Sequence, residues 1–423
     1  MAVHDLIRNA SGVFRQRFMF MAGGIITGLV AYAFAIMADY AAMGFNWVNG
    51  QNSYLGLMMS PFGLALSAYL AQRYFPGSSG SGIPQCIAAI HGKEGGVKAT
   101  FLSLRIAFGK IMLTCLGLLC GASIGREGPT VQIGASIMTQ VGRFFDREQR
   151  GMILAGSAAG IAAAFNAPLA GIVFAIEELS RSYESKTSGI ILTTTILAGL
   201  TASELGGNYA YFGYVSGDIG GVYGWLGLIV VAIIGGLLGG IFSRVIVDAS
   251  RSQFLRSMMR RSLVGFAFCC GVIISVCGYF SGGATYGTGY EVAFAQLHNE
   301  VTEPWVFVPL KMLATGISTL SGIPGGLFSP SLSIGAGIGG MVSEWFSLAN
   351  ASQLALLGMA AYLTGVVQSP VTAVVIMAEM TDNHRMVVPL LACAFLADWV
   401  SKLIQPHGIY HGLAQNFMEK DKP

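Results

Sequence analysis

The chain has 423 residues, 53% of them hydrophobic and only 11% charged, and its mean hydropathy is +0.63. That composition describes a polytopic membrane protein and excludes a soluble domain with a large core. The net charge of +3 is small and by itself says nothing about nucleic acid; no nucleic-acid partner is expected of a chain of this class.

Residues 1–17 read as a short amphipathic start carrying Arg8, Arg15 and Arg17. The first apolar run follows and continues as a span, so it is not a signal peptide. Spans are expected at residues 18–40, with Asp39 near the end, and at 54–74. Between Pro76 and Pro84 lies a polar break, Gly77-Ser78-Ser79-Gly80-Ser81-Gly82. A surface loop is its ordinary reading. Pro84 opening a short helix would instead make a half-helix N-terminus with the Ser81 hydroxyl beside it. Both readings stay open at this point.

Residues 100–123 are apolar apart from Arg105 and Lys110, and Gly121-Ala122-Ser123-Ile124-Gly125-Arg126-Glu127-Gly128-Pro129 follows. A charged turn spans 143–150. The apolar run 152–179 is broken at Asn166-Ala167-Pro168, where one helix stops and another starts. The second piece ends in Glu177-Glu178, with Arg181 and Lys186 close behind. Another span covers 190–205, and the Gly-rich stretch 206–220 reads as a junction.

The second half opens with a span at 223–247. Residues 244–261 hold Arg244, Arg251, Arg256, Arg260 and Arg261 and read as a cytoplasmic loop by the positive-inside rule. The basic N-terminus is expected on the same side. A span at 262–280, a break at 281–289 and a span at 306–320 precede Gly322-Ile323-Pro324-Gly325-Gly326-Leu327-Phe328-Ser329-Pro330. Apolar segments fill 332–399. The chain closes with Gln405-Pro406-His407-Gly408-Ile409-Tyr410 and a polar tail, with no soluble domain appended. The expected division is an N-terminal cytoplasmic segment (1–17), a first membrane repeat (18–210), a second (211–404), and a C-terminal helix with a cytoplasmic tail (405–423).

Charge at membrane depth is expensive, so Arg126 and Glu127 mark a functional site. A helix is expected from about Arg126, its free N–H groups and positive dipole end aimed at an anion. Glu127 sits on that end. As a mere dipole partner it would gain about 0.3–1 kcal/mol, several-fold less than an unpaired carboxylate costs at bilayer depth. Stability alone therefore does not account for it. The carboxylate can occupy an anion's place, or leave it when protonated.

The stretch occurs twice. At an offset of 201, Lys110 falls on Lys311, Thr114 on Thr315, Gly121 on Gly322, Gly125 on Gly326 and Pro129 on Pro330. At 202, Pro168 falls on Pro370 and Glu177 on Glu379. Chance similarity of apolar segments would match Leu and Ala, not Lys, Gly and Pro in order. Duplicated, Gly/Pro-interrupted apolar segments point to a transporter site at the repeat interface. Glu127 falls on Phe328, which cannot titrate, and Glu178 on Met380, so both acids are unrepeated. Gly287-Thr288-Gly289 is a looser counterpart of the Ser81 break. Lys110 and Lys311 either line an anion's route or belong to structural ion pairs.

Gly80-Ser81-Gly82-Ile83-Pro84, Gly125-Arg126-Glu127-Gly128-Pro129 and Gly326-Leu327-Phe328-Ser329-Pro330 resemble the three anion-site motifs of the CLC chloride channel and transporter family. Asn166-Ala167-Pro168-Leu169-Ala170-Gly171 with Glu177-Glu178 is similar to that family too. The motifs stand in the family's order, and the resemblance spans essentially the whole chain. It implies an all-α membrane fold of two inverted-topology repeats with tilted and broken helices, and a homodimer with one anion pathway per subunit. Chloride would be bound by the Ser81 and Tyr410 hydroxyls and the N–H groups of Leu327 and Phe328, with Arg126 and Gly128 at the same site. Glu127 would be the external gate and Glu178 the internal proton-transfer site. Gln85 stands where relatives often carry an acid.

The expected function is exchange of chloride for protons, with both ions as substrates, no cofactor and no enzymatic activity. An uncoupled chloride channel is the nearest alternative. Fluoride and nitrate exchange fit less well, because Ser81 keeps the chloride-type residue. A remote reading from another class is an intramembrane serine protease, since Gly77-Ser78-Ser79-Gly80 resembles the rhomboid Gly-x-Ser-Gly, with His407 or His411 as base. It leaves the duplication and Glu127 without a role. The seven cysteines lie mostly in apolar runs and read as small buried hydrophobes. The six histidines show no metal-ligand spacing. The bare architecture suggests a bacterial inner-membrane protein with both termini cytoplasmic.

Overall fold

Three kinds of break interrupt the apolar sequence, and each recurs once in the second half. Gly121 and Gly322 end their helices at φ +74° and +86°, a left-handed turn that a side chain rarely tolerates. Asn166 and Gln368 take positive φ ahead of Pro168 and Pro370. Gly82 and Gly289 cap two further short helices at φ +103° and +79°. The expected counterpart of the Ser81 break, at Gly287-Thr288-Gly289, is therefore a structural one.

The computed structural model describes residues 2–92, 101–143, 149–180, 185–207, 210–300, 303–346 and 351–418. Arg181 and the polar tail from residue 419 lie outside the described residues, as do the side chains of Arg8, Arg15 and Lys186. The first half comprises α1 (Ala2–Gln51), α2 (Ser53–Tyr74), α3 (Ile83–His91), α4 (Leu104–Leu119) and α5 (Glu127–Arg143). It continues with α6 (Gln149–Phe165), α7 (Pro168–Phe174), a π-helical turn (Ala175–Ser180) and α8 (Ser185–Gly206). The second half comprises α9 (Val222–Arg251), α10 (Gln253–Arg261), α11 (Leu263–Phe280), α12 (Tyr290–Leu297) and α13 (Pro304–Leu320). Then come α14 (Phe328–Phe346), α15 (Ala351–Val367), α16 (Pro370–Thr381), a 3₁₀ turn (His384–Met386), α17 (Val387–Ile404) and α18 (Ile409–Met418). The fold is all-α among the described residues. It consists of two repeats of broken helices, as expected.

Packing is duplicated along with sequence. Helix α6 lies against α5 and α8, and α15 lies against α14 and α17. The α5–α6 crossing is closed by Gly134 and Gly156, where a Cβ on either would collide with the other's carbonyl; Gly335 and Gly358 do the same for α14–α15. Small residues at such crossings let helices pack without a hydrophobic drive from water. Helices α2 and α11, which occupy the same place in each repeat, pack on one another across the repeat interface.

Among the described residues six helices are long and apolar enough to cross a membrane: they contain residues 17–51, 53–74, 189–206, 222–251, 263–280 and 384–404. The helices that end at the site are shorter and are covered by protein. Nearly every residue of α6 and α15 is buried. Helix ends at membrane depth are tolerated only where protein, not lipid, surrounds them.

Two expectations need correction. The basic stretch 244–261 is not a loop: α9 runs to Arg251, and residues 253–261 form the separate helix α10, which buries no residue. The first span does not stop near Tyr40, since α1 runs on to Gln51. No Pro interrupts α1 there, and it runs through Gly44 and Gly50 without stopping.

Candidate functional site

Three chain breaks meet at one point. Gly125 N donates to Gly326 O at 2.8 Å, and Gly326 N donates to Gly125 O at 2.7 Å. Gly80 N donates to Ile323 O at 3.0 Å, and Gly325 N returns a bond to Gly80 O at 3.2 Å. The breaks before α3, α5 and α14 are thereby tied together through their backbones, and each leads into a helix N-terminus. The first N–H groups of a helix have no partner within it, so three sets of donors converge on this region.

Glu127 is the first residue of α5 and is 1% exposed. One carboxylate oxygen accepts from Ser329 Oγ at 2.5 Å, across the repeat interface. The other, Oε2, is buried without a hydrogen-bond partner among the described residues. Phe328 opens α14 in the equivalent place and is buried between Phe165, Phe174 and Tyr410.

Tyr410 lies in the first turn of α18, is fully buried, and stacks on Phe328 with ring centroids 5.9 Å apart. It is not an interfacial anchor. Its hydroxyl and that of Ser81 are both buried and lack a partner of their own, and the two side chains face each other. Gly128 passes so close to Ser81 that a Cβ there would strike the serine hydroxyl. Ser81, Glu127, Gly128, Leu327, Phe328 and Tyr410 are therefore gathered in one buried region, drawn from four helix starts. Orphaned hydroxyls beside helix N-termini offer donors to a small anion without a full positive charge.

Arg126 stands apart from them. Its Nη1 donates to Ala35 O and to Asp39 Oδ1, both at 2.7 Å. The guanidinium faces a cavity of about 360 Å³ lined also by Asp39, Tyr211, Tyr286, Tyr290 and Glu291. Both of these Nη1 bonds go to α1 and neither to the hydroxyls of Ser81 and Tyr410.

Glu178 lies in the π-helical turn and is 1% exposed, so a solvated helix end is the wrong picture of it. Oε2 accepts from Ser369 Oγ at 2.6 Å, and Oε1 meets His411 Nδ1 at 3.2 Å. Its neighbour Glu177 does something else. Glu177 accepts from Val371 N (3.1 Å) and Thr372 N (2.6 Å) at the start of α16. Glu379, its copy, accepts from Leu169 N (3.2 Å) and Ala170 N (2.7 Å) at the start of α7. The repeated acids are reciprocal helix caps, and the unrepeated acid is left for another task.

Among the described residues the two lysines form no ion pair and bind loop carbonyls instead. Lys110 Nζ donates to Ser78 O and Gly80 O, both at 2.7 Å, and Lys311 Nζ donates to Thr285 O (2.9 Å) and Gly287 O (2.8 Å). Each staples the loop that leads into α3 or α12. Gln85 also has a structural reason: it accepts from Gly82 N at 3.1 Å and donates to Ser79 O at 2.6 Å. An ionised acid there could make only the first bond.

Ser329, Ser369 and His411 were not legible as site residues. Ser329 stands inside a motif, and His411 is next to Tyr410, but neither position alone tells which carboxylate the side chain meets. Among the described residues no hydrogen bond joins Ser79 to His407 or His411, and His411 is held by Glu178. The protease reading thus lacks its serine–histidine contact.

A family described as voltage gated chloride channel matches residues 63–402 of the chain. The fold is similar to that of a slow cyanobacterial Cl⁻/H⁺ antiporter, with a TM-score of 0.83 and 25% identity over 96% of this chain and 99% of that one. It is also similar to a CLC-type fluoride/proton antiporter (TM-score 0.78, 21% identity, 95% and 98% covered). A eukaryotic CLC transporter matches with a TM-score of 0.75 and 22% identity, over 95% of this chain and 74% of that one.

Proposed function

Because the chain belongs to the voltage gated chloride channel family and is an integral membrane transporter, not an enzyme, we propose that it exchanges chloride for protons. The observation that carries this reading is Glu127: a buried carboxylate on a helix N-terminus, held through one oxygen by Ser329 with the other unpartnered.

The chemistry follows from competition. A carboxylate at a helix N-terminus uses the same donors that would hold an anion. Ionised, Glu127 fills the place and blocks it. Protonated, it loses its claim on those donors and can swing out, and chloride takes the place. Chloride is then held by the hydroxyls of Ser81 and Tyr410 and by backbone N–H groups of Leu327 and Phe328. Such a site lacks a full positive charge, so it binds weakly enough to release its ion. Gly128 keeps the backbone close to Ser81, and Arg126 draws anions to the entrance while Asp39 limits its charge.

Glu178 supplies protons from the opposite side. Tyr410 lies within electrostatic reach of both Glu127 and Glu178, so an anion held by its hydroxyl interacts with both acids. Protons pass from Glu178 to Glu127 as chloride moves the other way. The reading extends to a homodimer in a bacterial inner membrane, and the basic N-terminus and basic stretch 244–261 favour cytoplasmic termini. All the groups named here come from one chain.

The test is proton movement in liposomes holding the purified protein, driven only by a chloride gradient. Uphill proton pumping is expected. Glu127→Ala and Glu178→Ala should each abolish it while chloride flux survives. Chloride flux with no proton movement in the unaltered protein would mean an uncoupled pathway. No chloride flux from a folded sample would remove the chloride assignment, with fluoride and nitrate tried next.

A further inference from the structure

Glu178 is almost completely enclosed, with its side chain 2% exposed, whereas His411 beside it is 14% exposed. His411 Nδ1 lies 3.2 Å from Glu178 Oε1, and the second carboxylate oxygen is already taken by Ser369. The far ring nitrogen, Nε2, is buried and has no partner among the described residues. His411 follows Tyr410 directly in α18, so one helical turn presents the anion-facing phenol and the imidazole together. Of the two side chains that meet this buried carboxylate, the partly exposed His411 ring is the one that can both accept and donate a ring proton.

We propose that His411 is the proton-transfer residue that loads and unloads Glu178. This rests on the reading of Glu178 as the internal proton site. Imidazole suits the task because its two nitrogens can accept on one side and donate on the other. A proton from internal water bonds to Nε2 as the Nδ1–H bond breaks and Oε1 of Glu178 gains that proton. The ring is neutral before and after, in the opposite tautomer. Rotation of the ring to water at the same face restores Nδ1–H, and the steps reversed unload Glu178.

The groups around the ring are few. From the π-helical turn come Glu178 and, turned toward α16, Glu177. From α9, Arg251 donates to Gly412 O at 3.1 Å and to Gln415 Oε1 at 2.6 Å. From α10, Arg256 donates to Asn416 Oδ1 at 3.2 Å. Helix α3 brings His91 in its last turn, and α15 brings no charged residue. Both arginines are spent on the end of α18, beyond His411, and neither contacts Glu178.

The experiment uses the full chain in liposomes and compares His411→Ala, His411→Gln and Glu178→Ala. Proton pumping by His411→Ala should fall by about tenfold or more, as expected for loss of a proton-transfer group, while chloride flux persists. Imidazole added to the side facing His411 should restore pumping in His411→Ala, and His411→Gln should stay slow because glutamine cannot relay a proton. Pumping by His411→Ala at the normal rate, with Glu178→Ala inactive, would overturn the relay and leave Glu178 in place. Slow pumping that His411→Gln restores and imidazole does not would make His411 merely structural. Normal pumping by Glu178→Ala would remove both assignments.

Discussion

Gly125 and Gly326 are the same position in the two repeats, and each donates its N–H to the other's carbonyl, at 2.8 and 2.7 Å. A residue that bonds reciprocally to its own copy lies on the pseudo-two-fold axis that relates the halves. Glu127 and Phe328 stand two residues further on, one on each side. The symmetric frame thus presents an acid from one repeat and a phenyl ring from the other.

That axis leaves no room for a side chain. A Cβ at Gly125 would collide with Glu127 Oε2 and approach Pro330 Cδ to 3.2 Å. Gly125→Ala is therefore expected to push the carboxylate off its seat. Chloride flux should persist while the number of protons moved per chloride falls, read from paired ion-flux traces.

Ser329 should act on the same carboxylate from the other repeat. Its hydroxyl holds Glu127 Oε1 at 2.5 Å. Ser329→Ala is expected to cost about 1–3 kcal/mol of the gate's closed state, since a hydrogen bond to a charged group is lost. Chloride turnover should rise with overall stability little changed, as measured by flux and by thermal unfolding in detergent.

Lys110 and Lys311 make the same contacts, but only one of the two loops carries a site residue. Lys311→Met takes the lysine donor from Thr285 O and Gly287 O, whereas Lys110→Met takes it from Ser78 O and leaves Gly80 O with its bond from Gly325 N; each carbonyl left without a donor costs about 1–3 kcal/mol. Both variants should melt earlier. Lys110→Met should also weaken chloride binding, because it frees the loop that positions Ser81; Lys311→Met should not. Calorimetric chloride titration separates the two.

Glu177 and Glu379 cap each other's repeat, so Glu177→Gln and Glu379→Gln should destabilise by similar amounts, about 1–2 kcal/mol, and leave proton coupling intact. Glu178→Gln should do the reverse. A loss of pumping in Glu379→Gln would show that capping and transport are not separable here.

Much of this was legible before any coordinate. Glycine, proline and lysine matched in order because each is needed at a break: a left-handed turn, a helix start, a donor for loop carbonyls. Apolar composition required a membrane fold, and an acid on a helix start required a function. Periodicity located the spans well but not their ends, because a long apolar helix such as α1 contains no stop.

Sequence alone determined the duplication, the broken-helix architecture, the asymmetry between Glu127 and Phe328, and the family. It could not separate Glu177 from Glu178 by partner, assign the lysines, or find Ser329, Ser369 and His411. Those depend on contacts between residues about 190 to 230 positions apart, closed only when one repeat folds against the other. Local chemistry sets which residues can cap, donate or titrate. Which carboxylate each of them meets is decided by the packing of the two repeats, since a buried polar group takes whatever partner that packing brings within about 3 Å.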